Sequence, residues 1–250
     1  DSQESASVYD LTRLANTVEG FAPKPNYIVK SALNMELIWC PPGSFIMGPD
    51  GNNNPAHPVI LTKGFYLGKY EITQEEYEKI MGSNPSQFKG AKFPVDSVLW
   101  NDAEAFCKTI NRKEKRVGWE FALPTEAQWE YACRAGTNTN YSWGDEVNSK
   151  LANYKDSALE RTVEVGSYQP NPWGFYDMHG NVQEWTFDWL GPYSQGLVTD
   201  PLGVKTGLNR VRRGGNWHFL GPFIKSASRS RGSPGRRDGV GFRLCLAPAR

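Results

Sequence analysis

Helix-start signals restrict this chain more than any other feature. In Thr73-Gln74-Glu75-Glu76 the Thr73 hydroxyl can take the Glu76 amide while the Glu76 carboxylate reaches back, a capping box. Asn101 with Glu104, and Thr125 with Gln128, repeat the device. Each opens a run with helical apolar spacing: Tyr77, Ile80 and Met81 before Gly82; Ala103, Phe106, Cys107 and Ile110; Trp129, Tyr131, Ala132 and Cys133 before Gly136. Val8, Leu11, Leu14, Ala15 and Val18 predict a further helix within 5–20, which Pro23 and Pro25 end. Elsewhere the apolar residues fall in short strand-like runs, at 35–39 and 44–48 around the Pro41-Pro42-Gly43 turn, then at 59–61 and 65–70. A few capped helices separated by turn-rich segments predict an α+β fold low in regular structure. The expected organisation is an N-terminal helix and linker over 1–32 and one domain over 33–250, which is long enough to bury a substantial core.

Charge excludes some partners. Lysine and arginine number 28 against 27 acids, a net charge of +1, so no global field favours nucleic acid or a membrane surface. No apolar run approaches eighteen residues, so no span is expected. The polar, acidic start is no signal h-region, although a leader ending in a lipidated cysteine could have preceded it.

Cys40, Cys107, Cys133 and Cys245 form no C-x-x-C pair and lack structural-zinc spacing. Cys107 and Cys133 sit among apolar neighbours and read as buried thiols. Cys40 and Cys245 can be bridged if their strands pair, and are otherwise neighbouring free thiols. His57, His179 and His218 are scattered, which suits loop or core roles better than a metal trio. Glu126 and Glu130 share a helix face, where capping and surface hydrogen bonds explain them more simply than acid–base catalysis.

One stretch fits no period. Between Arg213-Gly214-Gly215-Asn216-Trp217 and Val240-Gly241-Phe242-Arg243-Leu244, both strand-like, about twenty basic, glycine-rich residues also hold His218, Phe219, Leu220, Phe223 and Ile224. A core would space such residues regularly, and a plain solvent loop would not carry them. The stretch reads as a displayed recognition surface held between fixed ends.

Several segments resemble one family: Gly43-Ser44-Phe45-Ile46-Met47-Gly48, Leu123-Pro124-Thr125-Glu126-Ala127-Gln128-Trp129-Glu130, Asn171-Pro172-Trp173-Gly174-Phe175-Tyr176-Asp177-Met178-His179-Gly180-Asn181-Val182, Arg213-Gly214-Gly215 and Gly241-Phe242-Arg243. The chain is similar over about 35–246 to the formylglycine-generating-enzyme (sulfatase-modifying factor) family, which implies an elaborated C-type-lectin fold with neighbouring first and last strands. The family's oxidases hold copper on two cysteines after the Arg-Gly-Gly. Those places fall here on Phe219 and Ile224, which cannot ligate a metal, and no cysteine lies between Cys133 and Cys245. The resemblance therefore implies no copper and no such oxidation.

Carried over from the family, a calcium loop would use the Asp177 and Glu184 carboxylates with the Gly180 and Val182 carbonyls, hard oxygens that suit the ion. An apo loop held by hydrogen bonds is the open alternative. A second family site, at Asn153 and the Tyr154 carbonyl, is not expected.

The chain most resembles the diversity-generating-retroelement variable proteins, members of this fold without the cysteines, whose variable region, here about 212–243, runs between the same two motifs. The expected ligand-binding residues are Trp217, His218, Phe219, Leu220, Gly221, Phe223, Ile224, Ser228, Ser230, Gly232, Gly235, Arg237 and Asp238, with Lys225, Ser226, Ala227, Arg229 and Arg231 among the anchors. This implies a non-catalytic, monomeric binding protein for an unknown protein or surface ligand, lipid-anchored at the extracellular face of an outer membrane. An enzyme of the same fold with cysteine-independent chemistry, or a structural protein with a sticky loop, are the alternatives.

Overall fold

The computed structural model describes residues 28–31, 33–49, 54–235 and 239–249. The helix expected within 5–20, Arg237 and Asp238 lie outside them. Among the described residues run twelve short strands and three α-helices: β1 Ile28–Lys30, β2 Glu36–Cys40, β3 Gly43–Met47, β4 His57–Leu61, β5 Phe65–Gly68, α1 Gln74–Met81, α2 Trp100–Lys113, β6 Trp119–Ala122, α3 Glu126–Arg134, β7 Gln183–Trp189, β8 Val198–Thr199, β9 Arg210–Arg213, β10 Arg229–Gly232, β11 Val240–Gly241 and β12 Cys245–Pro248. The fold is α+β with modest regular structure, as expected.

Two capping boxes form as read, at Thr73 and Thr125, and Gly82 ends α1 in the left-handed conformation. The third does not. Helix α2 begins at Trp100 behind Leu99, which offers no side-chain cap, so Asn101 sits inside the first turn. Burial of Trp100, whose indole donates to the Thr186 carbonyl at 2.8 Å, fixes that start instead. Ala135 takes the left-handed position directly after α3, and Gly136 follows with φ 88°. The linker expected up to residue 32 is also cut short, because Ile28–Lys30 already pairs with Glu36–Ile38.

The largest sheet runs β1-β2-β5-β12-β6. Side chains alternate across it, so neighbours in sequence feed opposite cores. Leu37, Leu244 and Leu246 pack with Phe106 and Ile110 of α2 and Tyr77 of α1. Ile38, Cys245 and Ala247 pack with Trp129 and Ala132 of α3. Strand β5 separates β2 from β12, with Cys40 opposite Phe65 and Cys245 opposite Leu67. Two inter-strand steps and a two-residue offset along β5 hold their Cα atoms roughly 11–12 Å apart, beyond bridging reach. Both cysteines are buried and unbridged, so neither the disulfide nor direct adjacency of first and last strands is found.

Candidate functional site

Strand β9 ends at Arg213 because Gly214 and Gly215 both take positive φ, 84° and 68°. A Cβ on Gly215 would stand 2.5 Å from the Ile224 side chain, so the turn needs glycine twice over. The expected framework strand 213–217 is therefore a strand end followed by a tight turn. Beyond it the main chain is fixed by the scaffold. Trp217 N–H donates to Asn181 O at 3.1 Å, Lys155 N–H to Phe219 O at 2.9 Å, and Ser226 N–H to Asn140 O at 2.8 Å. The Tyr141 hydroxyl donates to Gly221 O at 2.9 Å. The chain returns as β10, antiparallel to β9 from Arg229 opposite Arg213 to Gly232 opposite Arg210.

Ile224 pins this path from below. It is 0% exposed and packs with Tyr141, Ala152 and Tyr154, with Phe219 and Val147 at the margin. Ile224 is thus an anchor, not a contact residue. Gly221 and Gly232 are likewise buried, because Val147 and Trp185 occupy the space a side chain would need. The exposed set is His218, Leu220 at 46%, Phe223 at 58% and Gly235, with Trp217, Phe219, Ser228 and Ser230 half-buried. Ring contacts run continuously across the surface: Phe88 to Trp217 at 5.8 Å, Trp217 to His218 and His218 to Phe219 at 5.0 Å each, and Phe219 to Phe223 at 6.2 Å. Phe88 lies far upstream, and no sequence signal tied it to this face. Burial, then Lys155, holds the His218 imidazole below its ordinary range. Ser230 turns inward and accepts from Gln183 Nε2 at 2.7 Å.

Glu126 and Glu130 are buried, not surface groups. The i, i+4 spacing on α3 aims both at the arginines that frame the segment. Arg229 meets Glu126 in a fork, Nε to Oε1 at 2.9 Å and Nη2 to Oε2 at 2.8 Å. Arg213 bonds Glu130 and donates from Nη1 and Nη2 to the carbonyls of Ser226, Ala227 and Ser228. Arg134 donates to Glu130 at 2.9 Å. Arg231, expected as an anchor, is exposed. His179 is a hidden clamp on the same segment. Ser142 N–H donates to its Nε2 at 3.2 Å, so the ring proton sits on Nδ1 and donates to Ile224 O at 2.7 Å.

The residues expected to hold calcium carry other bonds. Both Glu184 oxygens are taken by Arg243, at 2.7 Å each, and Oε2 also accepts the Trp129 indole N–H at 2.9 Å. A guanidinium seated on the principal carboxylate opposes a cation there. Asp177 accepts Gly166 N–H at 2.7 Å, and burial raises its carboxyl to about 6. Gly180 and Val182, whose carbonyls are the expected ligands, are held through their N–H groups, to Gly214 O and to Glu71. The second family position is likewise hydrogen-bonded, with Asn153 Nδ2 donating to Arg161 O at 2.9 Å. Copper fits no better. Phe219 and Ile224 offer no donor, and burial pushes the Cys133 thiol up to about 12, with His179 Nε2 3.7 Å away.

The pattern described as "Sulfatase-modifying factor enzyme 1-like domain" matches residues 27–248. A protein named serine/threonine-protein kinase pkn1 from Chlamydia caviae is 31% identical over 83% of this chain, which spans only 37% of that relative. The formylglycine-generating enzyme of Mus musculus is 26% identical over 90% of this chain and 77% of its own. Among solved structures, Treponema denticola variable protein 1 superposes with a TM-score of 0.80 and 28% identity, covering 89% of this chain and 99% of its own.

Proposed function

Because the chain belongs to the sulfatase-modifying factor enzyme 1-like family yet carries Phe219 and Ile224 where a copper pair would stand, we propose that it is a non-catalytic binding protein. Its binding surface is the segment of about 212–243. The observation that carries this reading is the run of rings from Trp217 to Phe223 on a loop whose path is set by main-chain bonds and by Ile224. Such a loop keeps its shape while its outward side chains change, and rigid rings supply contact area at low ordering cost. The likeness to a variable protein supports the finer reading, in which a retroelement diversifies the outward positions. A face that varies serves display outside the cell, by a lipid anchor, for a protein or other surface ligand. No helix among the described residues is long and apolar enough to cross a membrane.

The test is a binding screen of purified cell-surface proteins against the wild type and a His218→Ala, Leu220→Ala, Phe223→Ala triple variant. The reading expects a binder whose affinity the triple variant loses while its melting temperature holds. Unfolding of the variant would sink it. In the genome, a near-copy of the 218–239 coding stretch differing at adenines, beside a reverse transcriptase, is expected. The 26% identity to a formylglycine-generating enzyme keeps a second reading, an oxidase without the cysteine pair. Oxygen consumption in a copper titration with a cysteine peptide would reveal it.

A further inference from the structure

A cleft of about 770 Å³ opens beside the ring-lined face and takes no part in it apart from sharing the segment that bears the rings. One wall comes from that segment, with Pro222, Lys225 and Ser228; the other comes from the framework, with Ile46, Asn54 and Asn140. Arg134 and Arg229 also line it. Behind them three guanidinium groups, of Arg134, Arg213 and Arg229, share the two carboxylates of Glu126 and Glu130. Among the described residues one positive charge is therefore uncompensated, and the half-buried Lys225 ammonium, which has no ion-pair partner there, adds another. The described lining holds no carboxylate. Of the acids close to the lining in sequence, Asp145 accepts Asn140 N–H at 2.9 Å, and Asp50 lies outside the described residues.

A concave, partly desolvated wall concentrates such an excess, so the cleft favours an anion. Its size exceeds that of a small inorganic ion. The side-chain amides of Asn54, Asn138 and Asn140 suit the donors and acceptors of an extended main chain, and Ile46, 39% exposed, with Pro222 offers an apolar shelf. A net charge of +1 supplies no long-range field of the kind nucleic acid binders use. We propose that this cleft binds an acidic peptide segment, with a ligand carboxylate seated at Lys225. The site is distinct from the ring-lined face and stands or falls separately from it.

A displayed random heptapeptide library is panned on the wild type, on Lys225→Gln and on Phe223→Ala, with thermal melts checking that each is folded. Wild-type selections should be enriched in Asp and Glu. By fluorescence anisotropy, a selected peptide should weaken about tenfold when its acids become amides or when Lys225→Gln replaces the wild type, as expected for one charge-assisted bond. Lys225→Arg should restore binding, Phe223→Ala should retain it, and rising salt should weaken it. Selections without acid enrichment, or affinities indifferent to Lys225→Gln, overturn the proposal. Peptides lost on Phe223→Ala but kept on Lys225→Gln also overturn it and assign the ring-lined face instead. Loss on Lys225→Gln alone upholds the cleft whether or not that face binds anything.

Discussion

Phe223 and Ile224 adjoin in sequence, and both are apolar residues in a stretch without period, yet one is 58% exposed and the other 0%. Sequence could not separate them because burial depends on Tyr141, Ala152 and Tyr154, which come from a segment some seventy residues upstream. The difference has a direct measure. Ile224→Ala opens a cavity in a small cluster and should cost about 3 kcal/mol in urea unfolding, whereas Phe223→Ala should stay within about 0.5 kcal/mol of wild type. Equal losses would mean that the ring-lined loop is core. His179 offers a second residue-scale check. Burial lowers its pKa from 6.5 to about 4, so it stays neutral in the fold while the unfolded chain takes a proton below about 6.5. Stability is thus full above that pH and falls progressively toward pH 4, by about 3 kcal/mol in total. Protonation of Nε2 would also break the Ser142 bond, while the bond to Ile224 O favours the charged ring and offsets part of the effect of burial. His179→Asn should flatten the acid limb of a stability–pH profile at the expense of neutral-pH stability. An unchanged limb would assign the acid loss to other groups.

Elements were legible where a local signal carried them. The boxes at Thr73 and Thr125 formed because each needs only residues three apart. Strands β7 and β10 gave no such signal. Most of β7 is buried, and arginine and glycine in β10 are accommodated by ion pairs and by the Trp185 ring. Arg213 and Arg243, both 0% exposed, look like surface residues in sequence, and only the glutamates they meet make their burial tolerable. Strand order is equally non-local, and it decides the cysteine chemistry. With β5 between them, Cys40 and Cys245 should remain thiols under oxidising conditions. Added reductant should leave the melting temperature unchanged, and denaturation in an alkylating agent should label both. A reductant-sensitive melt would instead require β5 to be displaced.

At the scale of the whole molecule, the family motifs located the domain because they mark its turns and buried pairs: the glycines after β9, the arginine that clamps Glu184, the carboxylates of α3. They say nothing of which loop side chains face outward, since that division arises only when the scaffold closes around the segment. Four scaffold contacts, at Asn140, Tyr141, Lys155 and Asn181, hold its main chain, and each would survive a change of side chain within the segment. Tolerance to substitution should therefore follow burial and not position along the chain. A library randomised at 218, 220, 223 and 235 should yield mostly folded, protease-resistant protein. One randomised at 221, 224, 226 and 232 should yield little, because Val147, Tyr154 and Trp185 leave no room for new atoms there. Deep sequencing of the protease-resistant fraction from each library reads the outcome. If both sets survive alike, the loop is not pinned from below, and the rigid platform that the binding proposal needs does not exist.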